Sequence, residues 1–355
     1  MNGIVSHSSL GQLWHNARLS EAASNLFREE RVENTFPDTL CPLLTLPAKT
    51  DSLMGMRTIA KADIGPISIK QKHLTEFAME HKLDLPIHLL AFNREVRRSA
   101  KNYYFHSQLC LPDSLPFIRY REFALGLPEL AILQMACSLS EMDLLKLAYE
   151  LCGSYVLDDR FPRGFGSCKP LSSRSRIRSF AMRLADTRGT TALLKATELL
   201  SQGASASPKE TGLAMMLSAP PSRGGYGLPL PELNTRVDLG AKARKLYQHP
   251  YCVCDLLLPG LDIEYDSWAE HESKDSGRRD SHRSLALALE GLEVIHVYDA
   301  HVKRIEGMDS LALLIAAKLG IGISIPQDPL SVAKRESLRS RLLGTHVSCF
   351  QPRGA

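Results

Sequence analysis

YCVCDLLLPGLDIEYDSWAEHESKDSGRRDSHRSLALALEGLEVIHVYDA, residues 251–300, decides the fold of the second half of the chain. Its first eight residues, Tyr251 to Leu258, are apolar except for Asp255 and predict a buried strand. Pro259-Gly260 predicts a tight turn. A second strand, Leu261 to Tyr265, carries Glu264 and runs into Asp266. A helical segment follows, with Leu285, Leu287 and Leu289 near its end and Gly291 as its C-cap. Leu292 to Tyr298 predicts a third strand. The hairpin brings Asp255 and Glu264 to neighbouring positions, and the helix covers the sheet.

An acid inside an apolar strand is costly unless something pairs with it, and two acids on adjacent strands also repel each other. A divalent cation removes both costs. Mg2+ accepts one or two carboxylates together with phosphate oxygens, and such an ion can activate water and stabilise the leaving oxygen of a phosphodiester. The competing structural reading has Asp255 ending its strand and Glu264 facing solvent.

The order Asp255, turn, Ile263-Glu264-Tyr265-Asp266, a downstream His271, Asp280 and Arg283 on a helix, then a strand resembles the PD-(D/E)XK restriction-endonuclease-like superfamily, in its very-short-patch-repair-like branch. The resemblance covers about residues 205–300. It implies an α/β fold, a restriction-endonuclease-like mixed sheet flanked by helices, preceded here by a mainly helical α/β N-terminal region. It implies Mg2+ (or Mn2+) at Asp255 and Glu264, DNA as partner, and a glutamate from an upstream helix, matched by Glu210 in SASPKETGLAMML. The family's lysine two residues after the glutamate is Asp266 here. His271 matches a histidine common in that branch, and Lys274 is a weaker substitute.

On this reading Asp255 and Glu264 hold the metal, with Glu210 as a further catalytic acid acting through water. His271 serves as general base or acid, since its ordinary pKa lies near working pH. Asp266 borders the site. Asp280 and Arg283 stand one turn apart on the following helix, the first to orient His271, the second to meet an acid or a phosphate. An ordinary surface ion pair explains the same two residues. Ser207 as N-cap and Pro208 at the first helical position give Glu210 a structural explanation too.

Composition bounds the alternatives. The chain has 355 residues, 44% hydrophobic and 23% charged, with a formal net charge of +4. Two globular domains with real cores fit these figures. The mild basicity permits nucleic acid without requiring it. No apolar run is long enough for a membrane, and MNGIVSHSSLGQLW does not resemble a signal peptide, so a cytoplasmic location is expected. The 8 cysteines are scattered, which fits free thiols. Cys252 and Cys254, a Cys-x-Cys pair, share one face of a strand and read as small core residues, with a metal or redox role as the alternative.

The sequence divides into a poorly defined lead-in over 1–65, a mixed helical domain over 66–200, the endonuclease-like domain over 205–325 and a loose basic helical tail over 326–355. Within the second segment, Lys70 to Lys82 predicts an amphipathic helix, Leu85 to Phe92 and Leu115 to Tyr120 predict strands, and Leu127 to Gly153 predicts a helical hairpin with Glu129 and Gln134 solvated. Asp158 to Arg178, rich in Gly, Pro, Ser and Arg, is the best linker candidate. Arg223 to Gly227 reads as a flexible connection, and Lys242, Arg244 and Lys245 as decorating a turn. Arg97 and Arg98 beside Tyr103, Tyr104 and Phe105, together with Lys274, Arg278 and Arg279, are weak candidates for nucleic-acid contact. Three classes follow: a metal-dependent endonuclease in defence or repair, a catalytically weak nucleic-acid-binding or antitoxin-like regulator retaining that fold, and an interaction protein with structural acids. A protein partner or homodimer is compatible with each.

Overall fold

The computed structural model describes residues 3–30, 58–61, 64, 69–92, 100–107, 111–112, 115–266 and 274–344. These fall into two compact units that divide between Leu200 and Ser201. Both are α/β, with mixed sheets flanked by helices. No described helix is long and apolar enough to cross a membrane.

The first unit is built on β1 (Gly3–Val5), α1 (His7–Glu30), β2 (Thr58–Ala60), α2 (Gln71–Glu80), β3 (Ile87–Ala91), β4 (Tyr103–Ser107), β5 (Pro116–Tyr120) and β6 (Phe123–Leu125). The strands form one sheet in the order β2-β5-β6-β1-β3-β4. β1 lies parallel to β6 and antiparallel to β3, and β3 is parallel to β4. Val5 and the α1 side chains Leu10, Leu13 and Trp14 enter one core with Leu74 and Phe77 of α2, Leu89 of β3 and Leu125. Trp14 Nε1 donates to the Gly126 carbonyl at 3.2 Å. Residues 4–22 are therefore central to this unit, not a lead-in. A strand of only three residues gives alternation nothing to register, and the tertiary core supplies what local pattern lacks.

The helical hairpin takes the form of α3 (Pro128–Met135) and α4 (Glu141–Cys152), the latter capped by Ser140, whose Oγ accepts from the Asp143 amide at 3.2 Å. Glu129 and Gln134, expected in solvent, are buried at 2% and 3% exposure. Each has partners: Ser172 Oγ donates to Glu129 at 2.6 Å, Arg176 pairs with it at 2.9 Å, and Gln134 Oε1 accepts from the His7 amide at 2.9 Å. Nor is residue stretch 158–178 a linker. It contains β8 (Phe165–Ser167), which pairs with β7 (Tyr155–Leu157), and the start of α5 (Arg174–Arg183), ahead of α6 (Thr190–Glu198). Buried Arg18 of α1 donates to the carbonyls of Glu150, Gly153 and Tyr155 at 2.5, 2.7 and 2.6 Å. A guanidinium thus satisfies carbonyls left where α4 ends.

The second unit runs α7 (Pro208–Ser218), β9 (Glu232–Asp238), α8 (Ala241–Tyr247), β10 (Tyr251–Leu258), β11 (Leu261–Asp266), α9 (Lys274–Leu289), β12 (Glu293–Tyr298), α10 (Asp299–Val302), α11 (Ile305–Lys318) and α12 (Pro329–Leu343). Its sheet has the order β12-β11-β10-β9. β9, β10 and β11 are antiparallel neighbours, and β12 returns parallel to β11 after the α9 crossover. Gly260 turns the hairpin at φ 73° and Gly291 ends the crossover at φ 82°, both left-handed positions that favour glycine. Lys242, Arg244 and Lys245 lie within a helix, α8, rather than a turn. Gly224 to Gly227 is packed, not a free connection: a Cβ on Gly225 would stand 2.1 Å from the Ala219 carbonyl oxygen.

The C-terminal basic helix also belongs to the core. Its Arg335 is 4% exposed and grips Asp309 of α11 with Nε to Oδ1 at 3.0 Å and Nη2 to Oδ2 at 3.1 Å, while Nη1 donates to the Pro326 carbonyl at 2.7 Å. Tyr226 OH donates to the same carboxylate at 2.7 Å. Removing one partner of a buried pair leaves the other charge uncompensated. Arg335→Ala is expected to destabilise this unit by about 3 kcal/mol, with Asp309→Asn added on top restoring part of the loss; urea unfolding followed by circular dichroism measures both.

Candidate metal centre

Glu210 is delivered by a well-defined helix start. Ser207 Oγ accepts from the Glu210 amide at 3.1 Å, and Pro208 needs no donor in the first turn. The Glu210 carboxylate, 7% exposed, accepts at Oε2 from the Ala206 amide and from Asn234 Nδ2, each at 2.8 Å. Asn234 belongs to β9, where its φ of 46° is left-handed. The ladder between β9 and β10 steps from Cys254–Thr235 to Leu256–Leu233 and omits the Asp255–Asn234 step. The register is the same on both sides, so the β9 backbone bends at Asn234, opposite Asp255, without an inserted residue.

Asp255 sits at that bend. The β10–β11 register, Leu256 to Ile263, extends by one step to set Asp255 opposite Glu264. Asp255 Oδ2 accepts from the Tyr265 amide at 2.9 Å. Burial raises the Asp255 pKa, pushed up to about 8, and the charges of Glu264 and Glu210 add to the shift. Burial likewise lifts Glu210, with Glu264 adding and the Ala206 and Asn234 hydrogen bonds opposing. Glu210, Asp255 and Glu264 come from a helix and two strands, and they feel one another's charge.

Two further residues complete the cluster. Asp262 is fully buried on β11. The Cys254 sulfur and a carboxylate oxygen each from Asp262 and Glu264 all lie within 4.8 Å of one another. Arg283 reaches in from α9: Nη2 meets Glu264 Oε1 at 2.5 Å, donates to the Val253 carbonyl at 2.5 Å and lies 3.9 Å from Asp262 Oδ2. Burial pushes Glu264 up to about 8 and Asp262 reinforces it, while Arg283 pulls it down. Cys252 and Cys254 pack with Ala286 and Leu287 of α9, the small core role expected of them.

Asp266, in the position of the lysine, accepts from His296 Nδ1 of β12 at 2.7 Å. The parallel register pairs Glu264 with His296, which carries this imidazole to the border of the cluster. Of the expected residues, then, Glu210, Asp255 and Glu264 come together, with Arg283 on Glu264 and Asp266 alongside. His271, Arg97 and Arg98 lie outside the described residues. Lys274, Arg278, Arg279 and Asp280 lie on the described backbone of α9, their side chains outside the description. Sequence reasoning missed Asp262 and His296, and read Cys254 as core with a metal role only as the alternative. The signal for Asp262 was its position two residues before Glu264, which alternation places on the same strand face; His296 needed the strand order.

The thiol and two carboxylates of Cys254, Asp262 and Glu264 could hold a metal ion, in competition with protons and with Arg283; Asp255 faces Glu264 across the hairpin but is not one of these three grouped donors. The pH consequence has a definite sign. Asp255 and Glu264 titrate ordinarily near 3.8 and 4.5 and near 8 in the folded chain. Between those values the folded state binds more protons than the unfolded one. The stability these carboxyls contribute is full below their unfolded values and is lost as pH rises through about 8. Denaturant unfolding in EDTA across that window should show falling stability, and Asp255→Asn with Glu264→Gln should flatten the profile. Compared with known proteins, the chain matches no protein-family model, no curated protein and no solved structure.

Proposed function

We propose that the second unit is a metal-dependent endonuclease of the PD-(D/E)XK kind, hydrolysing DNA phosphodiester bonds in defence or repair. The observation that carries this reading is the convergence of Glu210, Asp255 and Glu264 on a bent hairpin followed by a crossover helix and a parallel strand. An acid cluster maintained at the cost of raised pKa values is characteristic of a functional site. Bound there, Mg2+ or Mn2+ supplies a polarised phosphate oxygen and a more acidic water. Asp255 and Glu264 hold it, and Glu210 acts through water. His271 takes the proton of the attacking water or returns one to the leaving oxygen. Arg283, now on Glu264, would be free to pair with a phosphate if a cation took that carboxylate.

A second reading is a nucleic-acid-binding regulator that keeps this fold with little activity. It is favoured by Asp266 in the lysine's place, engaged with His296, and by Arg283 already neutralising Glu264. Cleavage of supercoiled plasmid with Mg2+, Mn2+ or EDTA decides between them. The nuclease reading expects metal-dependent nicking that Asp255→Ala and Glu264→Ala each lower about 1,000-fold, with DNA affinity retained. Salt-dependent DNA binding without nicking in any metal supports the regulator. Nicking that persists in both variants removes this cluster from the reaction.

A further inference from the structure

The first unit holds a cavity of about 480 Å3 walled by His7, His88 and His106 with Ser8, Gln134, Cys137 and Arg188. Three chain segments deliver the imidazoles. His7 opens α1 directly after β1, at φ 50°. Its amide donates to Gln134, and its Nδ1 lies 3.1 Å from Ser6 Oγ. His88 lies on β3 and His106 on the parallel β4, two residues further along in register, since Leu90 is the partner of His106. His88 Nδ1 is 2.7 Å from His106 Nε2, and the His7 ring stacks on His106 with centroids 3.4 Å apart.

Three imidazoles this close cannot all be charged. Burial lowers His7 to about 3, with His106 and His88 adding; burial lowers His106 to about 4, with His88 adding, and it lowers His88 as well. All three are neutral at neutral pH, so each carries a nitrogen lone pair. The contact between His88 and His106 uses one proton for two rings. A core role explains the cluster poorly, because these rings line a cavity instead of filling one. The left-handed backbone at His7, uncommon outside glycine, adds strain at this spot. An anion would find Arg188 as its one formal charge among the lining residues. A cation that accepts neutral nitrogen donors finds two lone pairs outside the His88–His106 contact, and a third once that contact opens.

We propose that this cavity binds one divalent late first-row transition ion, such as Zn2+, through His7, His88 and His106. Neutral imidazole is the commonest protein ligand for such ions. The site is not closed around a point: among the described residues, only the Cys254, Asp262 and Glu264 group brings three ligand atoms within 4.8 Å of one another. Capture therefore includes rotation of His7 off the His106 ring and opening of the His88–His106 contact. The ion would be distinct in chemistry from the hard cation of the second unit, which has carboxylate oxygens to offer.

The test uses the full chain stripped with EDTA and titrated with Co2+, whose visible absorption reports nitrogen coordination, followed by displacement with Zn2+. Wild type is expected to show one equivalent of Co2+ with visible bands that Zn2+ removes. His88→Ala and His106→Ala should each weaken binding at least about 10-fold. Asp255→Ala with Glu264→Ala should leave the bands intact, which separates this site from the acid cluster. Zn2+ should also raise the thermal unfolding midpoint of wild type, a readout that needs no variant to fold. Absence of bands and of the thermal shift in wild type overturns the proposal. So do bands that survive both histidine substitutions, or bands lost with the two acids.

Discussion

Negative charge crowded into one part of a sheet is the constraint on which the second unit depends. Glu210, Asp255, Asp262 and Glu264 lie close enough for their titrations to affect one another. Two unit charges 4 Å apart interact by about 4 kcal/mol at an effective dielectric of 20, so four acids cannot all ionise without a counter-charge. Three species can supply it: protons, the Arg283 guanidinium, or a divalent cation. The raised pKa values of Asp255 and Glu264 express the first, and the 2.5 Å contact of Arg283 with Glu264 the second. The third is what the proposed chemistry uses. Each excludes part of the others, which ties protonation of the cluster to the Arg283 contact and, under the proposed chemistry, to metal occupancy.

Much of the local structure follows from serving that cluster. Ser207 starts α7 so that Glu210 is buried with two donors on one oxygen. Asn234 takes a left-handed conformation on β9, next to the omitted ladder step at Asp255. The Asp255 carboxylate, not a backbone carbonyl, accepts from the Tyr265 amide. The parallel return of β12 places His296 beside Glu264 in register, and only a crossover of helical length permits that pairing.

The second unit was the more legible in sequence. Residues 251–300 carry an apolar run, a Pro-Gly turn, an Ile-Glu-Tyr alternation and a Gly stop, and each signal is local, so the hairpin, α9 and β12 follow from it. The same stretch hid Asp262, because one buried acid of the three within LDIEYD looks like a solvated one until the partners of that strand are known. The first unit was opaque for the opposite reason. β1 has three residues, yet it is the strand that joins β6 to β3; its role comes from long-range pairing that no window of sequence contains. Residues 158–178 have the composition of a linker, but their arginines and glycines satisfy buried groups and close a hairpin. Arg335 looked like part of a charged tail because the acid it neutralises, Asp309, is 26 residues away.

The replacement of the expected lysine by Asp266 constrains how any chemistry here must work. A lysine two residues after the glutamate would bring a positive charge to the attacked phosphate. Asp266 brings a negative one, offset by hydrogen bonding to His296. The missing charge has to enter from another element. Among the described side chains, Arg283 meets that demand: it crosses from α9 to Glu264 and Asp262, and its guanidinium stays charged at any working pH. Whether it serves as a phosphate ligand or only as a clamp on Glu264 depends on which of the two binds it more strongly once a cation has taken the glutamate. Under the proposed nuclease reading, the residue that neutralises Glu264 here is also the one that would stand in for the lysine.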